Sequence, residues 1–217
     1  QLWHCGRLSL PDFHYGQPPV APSAINPHWK MFSPAGLKET VTPRALGVEE
    51  IQAIVADFGR AASNAVAAGF DGVEIHSSNG YLFHQFFAAC SNTRDDRYGG
   101  SHENRARIFF EVLDAIGQAL PFDRVGFRLN PMMNRFHGID VDADTLPMWE
   151  YVVRRANGYG LAFLHLTEPY QPNQLDGIAA PATDVAAHFR GIATMPIVSN
   201  GGFDLAKGAA WIAADRC

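Results

Sequence analysis

The sequence predicts an α/β fold of the (β/α)8 TIM-barrel class, and three observations carry that prediction. Amphipathic stretches with helical spacing alternate with short apolar runs rich in β-branched residues along most of the chain. Polar clusters follow those runs, at Ser77-Ser78-Asn79-Gly80-Tyr81, Asn130-Pro131, Glu168-Pro169 and Asn200-Gly201-Gly202, where α/β proteins place their chemistry. No Gly-x-Gly-x-x-Gly follows the first strand, so a doubly wound dinucleotide-binding sheet fits less well. Successive helix-then-strand units demand parallel strands and right-handed crossovers.

The chain opens on Gln1-Leu2-Trp3, a strand tail with no initiator methionine, and so reads as an internal piece. Residues 11–42 are proline-rich and irregular, including Gly16-Gln17-Pro18-Pro19-Val20-Ala21-Pro22, which forbids helix and disfavours a central strand. A long surface loop is expected there, of a length that usually serves function. Ile51, Ile54, Val55, Phe58, Ala61, Ala62, Ala65 and Val66 then form one apolar helical face, stopped at Gly69. Residues 69–75 make the strand that delivers His76. Further helices are expected over 104–120, 145–157, 184–191 and 204–214, with strands over 124–129, 161–167 and 196–199. Five strands, counting the stub at residue 1, fall about three short of the eight that close a barrel. Exposed sheet edges should result.

Composition narrows the class of function. With 217 residues, 47% hydrophobic and 18% charged, the chain suits one domain over 1–217 with a sizeable core. Its net charge is −5 and its basic residues are scattered, so nucleic acid is not an expected partner. No apolar run approaches the roughly 18 residues of a membrane span, and no signal peptide opens the sequence, so a cytoplasmic protein without a membrane partner is expected. Cys5, Cys90 and Cys217 are widely spaced and read as free thiols.

His76 and Asn79 can face the same way and donate hydrogen bonds to one oxygen, while the Tyr81 phenol can act as a general acid. A satisfied core histidine with a packing tyrosine fits the same triple, and spacing alone leaves both readings open. Gly201 and Gly202 could expose backbone N–H groups to a phosphate, or form an ordinary strand-to-helix turn. Asp140, Asp142 and Asp144 have the spacing of a calcium loop but lack its glycine and its closing glutamate. His4, His84, His102, His137 and His165 form no zinc pattern, so no metal site is proposed. Glu74, inside a strand, has no partner identifiable from sequence.

Longer motifs decide more than the triple does. Gln1-Leu2-Trp3-His4 with Gly6-Arg7, Pro22-Ser23-Ala24-Ile25, His76 through Leu82, Gln85-Phe86, then Asn92, Arg94, Asp96, Tyr98-Gly99-Gly100-Ser101, Glu103-Asn104-Arg105 and Gly126-Phe127-Arg128-Leu129-Asn130-Pro131 occur in order. Together they strongly resemble the old yellow enzyme family of flavin-dependent ene-reductases, over nearly the whole chain. The resemblance implies a TIM barrel represented by about strands 3 to 7 with their helices. It implies FMN as cofactor, NADPH or NADH as hydride donor, an enone or related activated alkene as substrate, and a homodimer as one assembly open to it. In that family the histidine and asparagine hold the substrate carbonyl and the tyrosine protonates its α-carbon, which implies those roles for His76, Asn79 and Tyr81. Flavin contacts are implied for Gln1 at the pyrimidine edge, for Arg128 beside N1 and O2, for His76, and for Gly201 and Gly202 at the phosphate. Trp3 is expected to shape the substrate pocket, with barrel packing as its structural alternative. The family's flavin contacts on the first two strands and its phosphate-binding arginine lie outside residues 1–217. The alternative expectation is therefore a catalytically silent, truncated barrel that binds no flavin by itself.

Overall fold

The computed structural model describes residues 1–169 and 184–216. Cys217, read from the sequence as a free thiol, lies outside the described residues, whereas Cys5 and Cys90 are free. Four short strands come first: β1 (Val20–Ala21), β2 (Lys30–Ser33), β3 (Gly36–Glu39) and β4 (Arg44–Ala45). Helix and strand then alternate through α1 (Val48–Ala67), β5 (Val73–His76), α2 (Leu82–Phe87), α3 (His102–Ile116), β6 (Val125–Leu129), α4 (Thr145–Ala156), β7 (Phe163–Thr167), α5 (Val185–Arg190), β8 (Ile197–Asn200) and α6 (Leu205–Ala213).

The order β5-β6-β7-β8 is parallel throughout, and Leu2 pairs in parallel with Ile75 to add a fifth position. Leu2 donates its N–H to the Glu74 carbonyl at 2.8 Å and accepts from the His76 N–H at 2.9 Å. These strands form an open arc of a barrel, as the sequence predicts. Side chains alternate across a strand, so Ile75, Phe127, Leu129, Leu164, Leu166 and Ile197 are buried on the outer face beneath the helices. There they join Phe83, Phe87, Phe109, Phe110 and Trp149 in one core. α3 starts at an Ser101 cap whose hydroxyl accepts the Asn104 N–H at 3.3 Å, and it packs on α1, where a Cβ on Gly59 would stand 3.2 Å from the Ala115 carbonyl oxygen.

Two parts differ from the sequence expectation. Residues 11–42 are not all loop: β2 and β3 form an antiparallel hairpin with Phe32 opposite Leu37 and Ser33 opposite Gly36. Its turn is Pro34-Ala35, closed by Gly36 at φ 103, and the prolines that suggested irregularity all lie outside the paired residues. The second difference is α2, whose six residues are all buried, so it shows no amphipathic period. Arg7, 1% exposed, ties the long loop to the segment after β6 by donating to the carbonyls of Ile25 (3.2 Å) and Gly138 (2.6 Å).

Candidate active site

The inner face of the arc is polar. Register places His76, Arg128 and His165 side by side on β5, β6 and β7, and the Leu2–Ile75 pairing puts Gln1 and Trp3 on the same face as Glu74 and His76. Glu74, the unpaired carboxylate of the sequence reading, accepts from the Gln1 amide and lies 2.6 Å from His165 Nδ1. The far nitrogen of His165 is 2.6 Å from Asn200 Nδ2. Burial favours the neutral acid at Glu74, but the hydrogen bonds from His165 and Gln1, with the charge of Arg128, outweigh it and hold the carboxyl below its usual value. One network therefore crosses the arc from the residue-1 strand to β8.

Beyond β5 the chain makes a tight turn that sets the triple. Asn79 and Gly80 are successive left-handed residues, with φ 56 and 76. The Gly80 N–H donates to His84 Nδ1 at 3.1 Å, and Gln85 Nε2 donates to the Gly80 carbonyl at 2.7 Å. A Cβ on Gly80 would meet His137 Cβ at 2.6 Å, so only glycine fits here. The turn returns Tyr81 toward the strand end, where its ring lies 5.0 Å from that of His76 and stacks on Trp3 at 5.3 Å. Trp3 and His76 are 5.9 Å apart. Asn79 is held from the segment after β6: Asn130 Nδ2 donates to Asn79 Oδ1 at 2.8 Å, and His137 Nδ1 donates to the Asn79 carbonyl at 2.6 Å. His137 stands 6.0 Å from Tyr81 and packs edge-on against Trp29 at 5.3 Å, which brings the long N-terminal loop to the rim.

Electrostatics suit an uncharged grip and a retained proton. Burial, reinforced by the Arg128 charge, lowers His76 to about 4, so its imidazole is neutral at pH 7. Burial raises the Tyr81 phenol above its usual value, so it keeps its proton. Arg128 donates to Thr167 Oγ1 at 3.1 Å, while among the described residues its buried Nε has no partner, and neither does the buried Oδ1 of Asn200. An orphaned guanidinium nitrogen on this polar face fits the anionic pyrimidine edge of a reduced flavin.

The glycine pair stands at the carboxyl end of β8, beyond β7 from Arg128. Gly201 (φ 106) is required because a Cβ there would lie 2.5 Å from the Glu168 carbonyl oxygen, whereas none of the described residues lies within 4 Å of a Cβ on Gly202 (φ 63). The structure thus unites Trp3, His76 and Tyr81 in one cluster, with Asn79 in the turn between His76 and Tyr81, held by Asn130 and His137, with Gln1 and Arg128 on the same face as His76 and the glycines at its far end. Asn130, His137 and His165 were not singled out as site residues from sequence. A polar residue closing an apolar strand was the available signal for Asn130, and inward parity was the signal for His165.

Comparison with known proteins shows the family and the fold. A family model described as the NADH:flavin oxidoreductase / NADH oxidase family matches residues 1–216. A rice relative (Oryza sativa subsp. japonica) named putative 12-oxophytodienoate reductase 5 is 44% identical over 172 residues, which is 78% of this chain and 44% of the relative. The old yellow enzyme homologue from Zymomonas mobilis superposes with TM-score 0.90 at 30% identity, over 100% of this chain and 60% of that one. Morphinone reductase in complex with tetrahydroNAD superposes with TM-score 0.87 at 36% identity, again over 100% of this chain. The chain spans less than half the length of the rice relative, at 44%. These neighbours are TIM barrels, and the arc from Leu2 to β8 is part of that barrel.

Proposed function

Because the chain belongs to the NADH:flavin oxidoreductase / NADH oxidase family, we propose that the protein is an FMN-dependent oxidoreductase that uses NAD(P)H to reduce the activated C=C bond of α,β-unsaturated carbonyl compounds. The observation that carries this reading is the neutral His76 against the protonated Tyr81 phenol, which stacks on Trp3, with His76 on the same polar face as Arg128 and Asn79 in the turn between His76 and Tyr81. Gln1, His76, Arg128, Gly201 and Gly202 would hold FMN, whose bound form supplies the hydride for the β-carbon. His76 and Asn79 donate to the carbonyl oxygen, which draws electron density from the alkene and stabilises the enolate as it forms. Tyr81 delivers its phenolic proton to the α-carbon, and its raised pKa keeps that proton in place until a carbanion-like carbon demands it. Trp3 walls the pocket beside Tyr81. The 12-oxophytodienoate reductase name and the tetrahydroNAD complex among the relatives support the alkene class and the nicotinamide donor.

The test is Asn79→Ala in the FMN-loaded enzyme with 2-cyclohexenone as substrate. Loss of one carbonyl hydrogen bond should weaken enone turnover by about 10-fold or more in kcat/KM, with the rate of flavin reduction by NADPH unchanged. An unaltered kcat/KM would remove Asn79 from the oxygen site.

A further inference from the structure

We propose that Ser78 and Asn130 are positioning residues that commit His76 and Asn79 to act as hydrogen-bond donors toward the substrate oxygen. The proposal rests on the reading that those two side chains grip a carbonyl. A neutral imidazole carries one donor and one acceptor nitrogen, and a carboxamide has one donor and one acceptor end. Either group could therefore present the wrong end to a carbonyl oxygen, and something must choose.

At His76 the choice falls to Ser78. Its hydroxyl lies 3.2 Å from His76 Nδ1, and both residues are buried, Ser78 completely. When the hydroxyl donates to Nδ1, the ring proton sits on Nε2. Ser78 O–H to Nδ1 and Nε2–H to the carbonyl then form one chain in which each bond polarises the next. The reverse tautomer would set an Nε2 lone pair against the carbonyl oxygen.

At Asn79 the choice falls to Asn130. Its Nδ2 donates to Asn79 Oδ1 at 2.8 Å, so the acceptor end of Asn79 is occupied and the NH2 end is left for the substrate. Asn130 is 2% exposed, and the same Nδ2 also approaches Met133 Sδ at 3.4 Å, which favours this orientation of its own amide. The His137 bond to the Asn79 carbonyl fixes the backbone from the same loop. The two donors are thus oriented from separate elements, one by the turn after β5 and the other by the residue that follows β6.

The test uses the FMN-loaded enzyme, with 4-hydroxybenzaldehyde as an oxyanion probe and 15N-labelled histidine. Ser78→Ala should shift the His76 ring 15N resonances away from a pure Nε2–H pattern and weaken the probe by several-fold. Asn130→Asp replaces the donor by an acceptor and should turn the Asn79 amide round, weakening the probe by about 10-fold or more, while Asn130→Ser, which keeps a donor, recovers most of the affinity. Probe affinity and ring resonances unchanged in Ser78→Ala and Asn130→Asp, while Asn79→Ala does weaken the probe, overturn the positioning roles and leave the grip standing. No loss in Asn79→Ala overturns the reading beneath them. Should Asn130→Asp fail to fold, the ring resonances of Ser78→Ala decide the histidine half and Asn130→Ser against Asn130→Ala decides the other.

Discussion

His84 shows how a single buried side chain couples the site to pH. It is 4% exposed, its Nδ1 accepts the Gly80 N–H, and burial together with the Arg7 charge lowers it from 6.5 to about 3. A histidine held neutral in the fold binds its proton first in the unfolded chain. Its contribution is therefore complete above about pH 6.5 and is lost as pH falls toward 3. His76, lowered to about 4, acts in the same direction. His84→Gln should flatten the slope of unfolding free energy against pH in that window without abolishing it, as denaturant titrations at several pH values would show; an unchanged slope would mean His84 is not the group that titrates. The triple itself was legible in the sequence because its residues are neighbours along the chain. Glu74 was legible only as a puzzle, because its partners are 73 and 91 positions away and only strand register brings them together.

On the proposed function, the turn after β5 is the element on which the chemistry depends. Gly80→Ala would combine a left-handed φ of 76 with a contact at 2.6 Å from His137 Cβ. A loss of about 1–3 kcal/mol in stability is expected, read as a lowered Tm, with a larger fall in alkene reduction than in flavin reduction because Asn79 and Tyr81 move with the turn. Equal falls in both would argue against a site built on this turn. Helices and strands from α1 onward were legible from period and punctuation, apart from the fully buried α2. The hairpin β2–β3 was hidden by the prolines around it. Much of the long motif that carried the family resemblance is structural: Asn92 Nδ2 donates at 2.8 Å to the carbonyls of Phe86 and Tyr98, and Arg94 donates to those of Pro22 (2.8 Å) and Leu46 (2.6 Å). Backbone carbonyls as partners leave no trace in a sequence pattern, so these roles could not be read before the fold was known.

On the scale of the molecule, the arc has two outer edges. β8 pairs only with β7 among the described residues, and Val198, Leu205 and Ile212 are exposed near it at 44%, 94% and 70%. At the other edge, a groove of about 450 Å³ runs between residues 1–4 and α1, lined by Ile54 and Phe58. A polypeptide limited to residues 1–217 should therefore bind an apolar dye strongly; a dye-silent product would contradict this. That the strands belong to a barrel was legible from their succession, whereas the inner polar row and its network needed the register. The central claim is that Tyr81 supplies the proton to carbon while His76 and Asn79 hold the oxygen. Stopped-flow measurement of the two half-reactions in FMN-loaded Tyr81→Phe tests it most directly. Flavin reduction by NADPH should proceed at nearly the wild-type rate and oxidation by 2-cyclohexenone should slow by about 100-fold or more; an equal effect on both half-reactions, or none on the second, would contradict it.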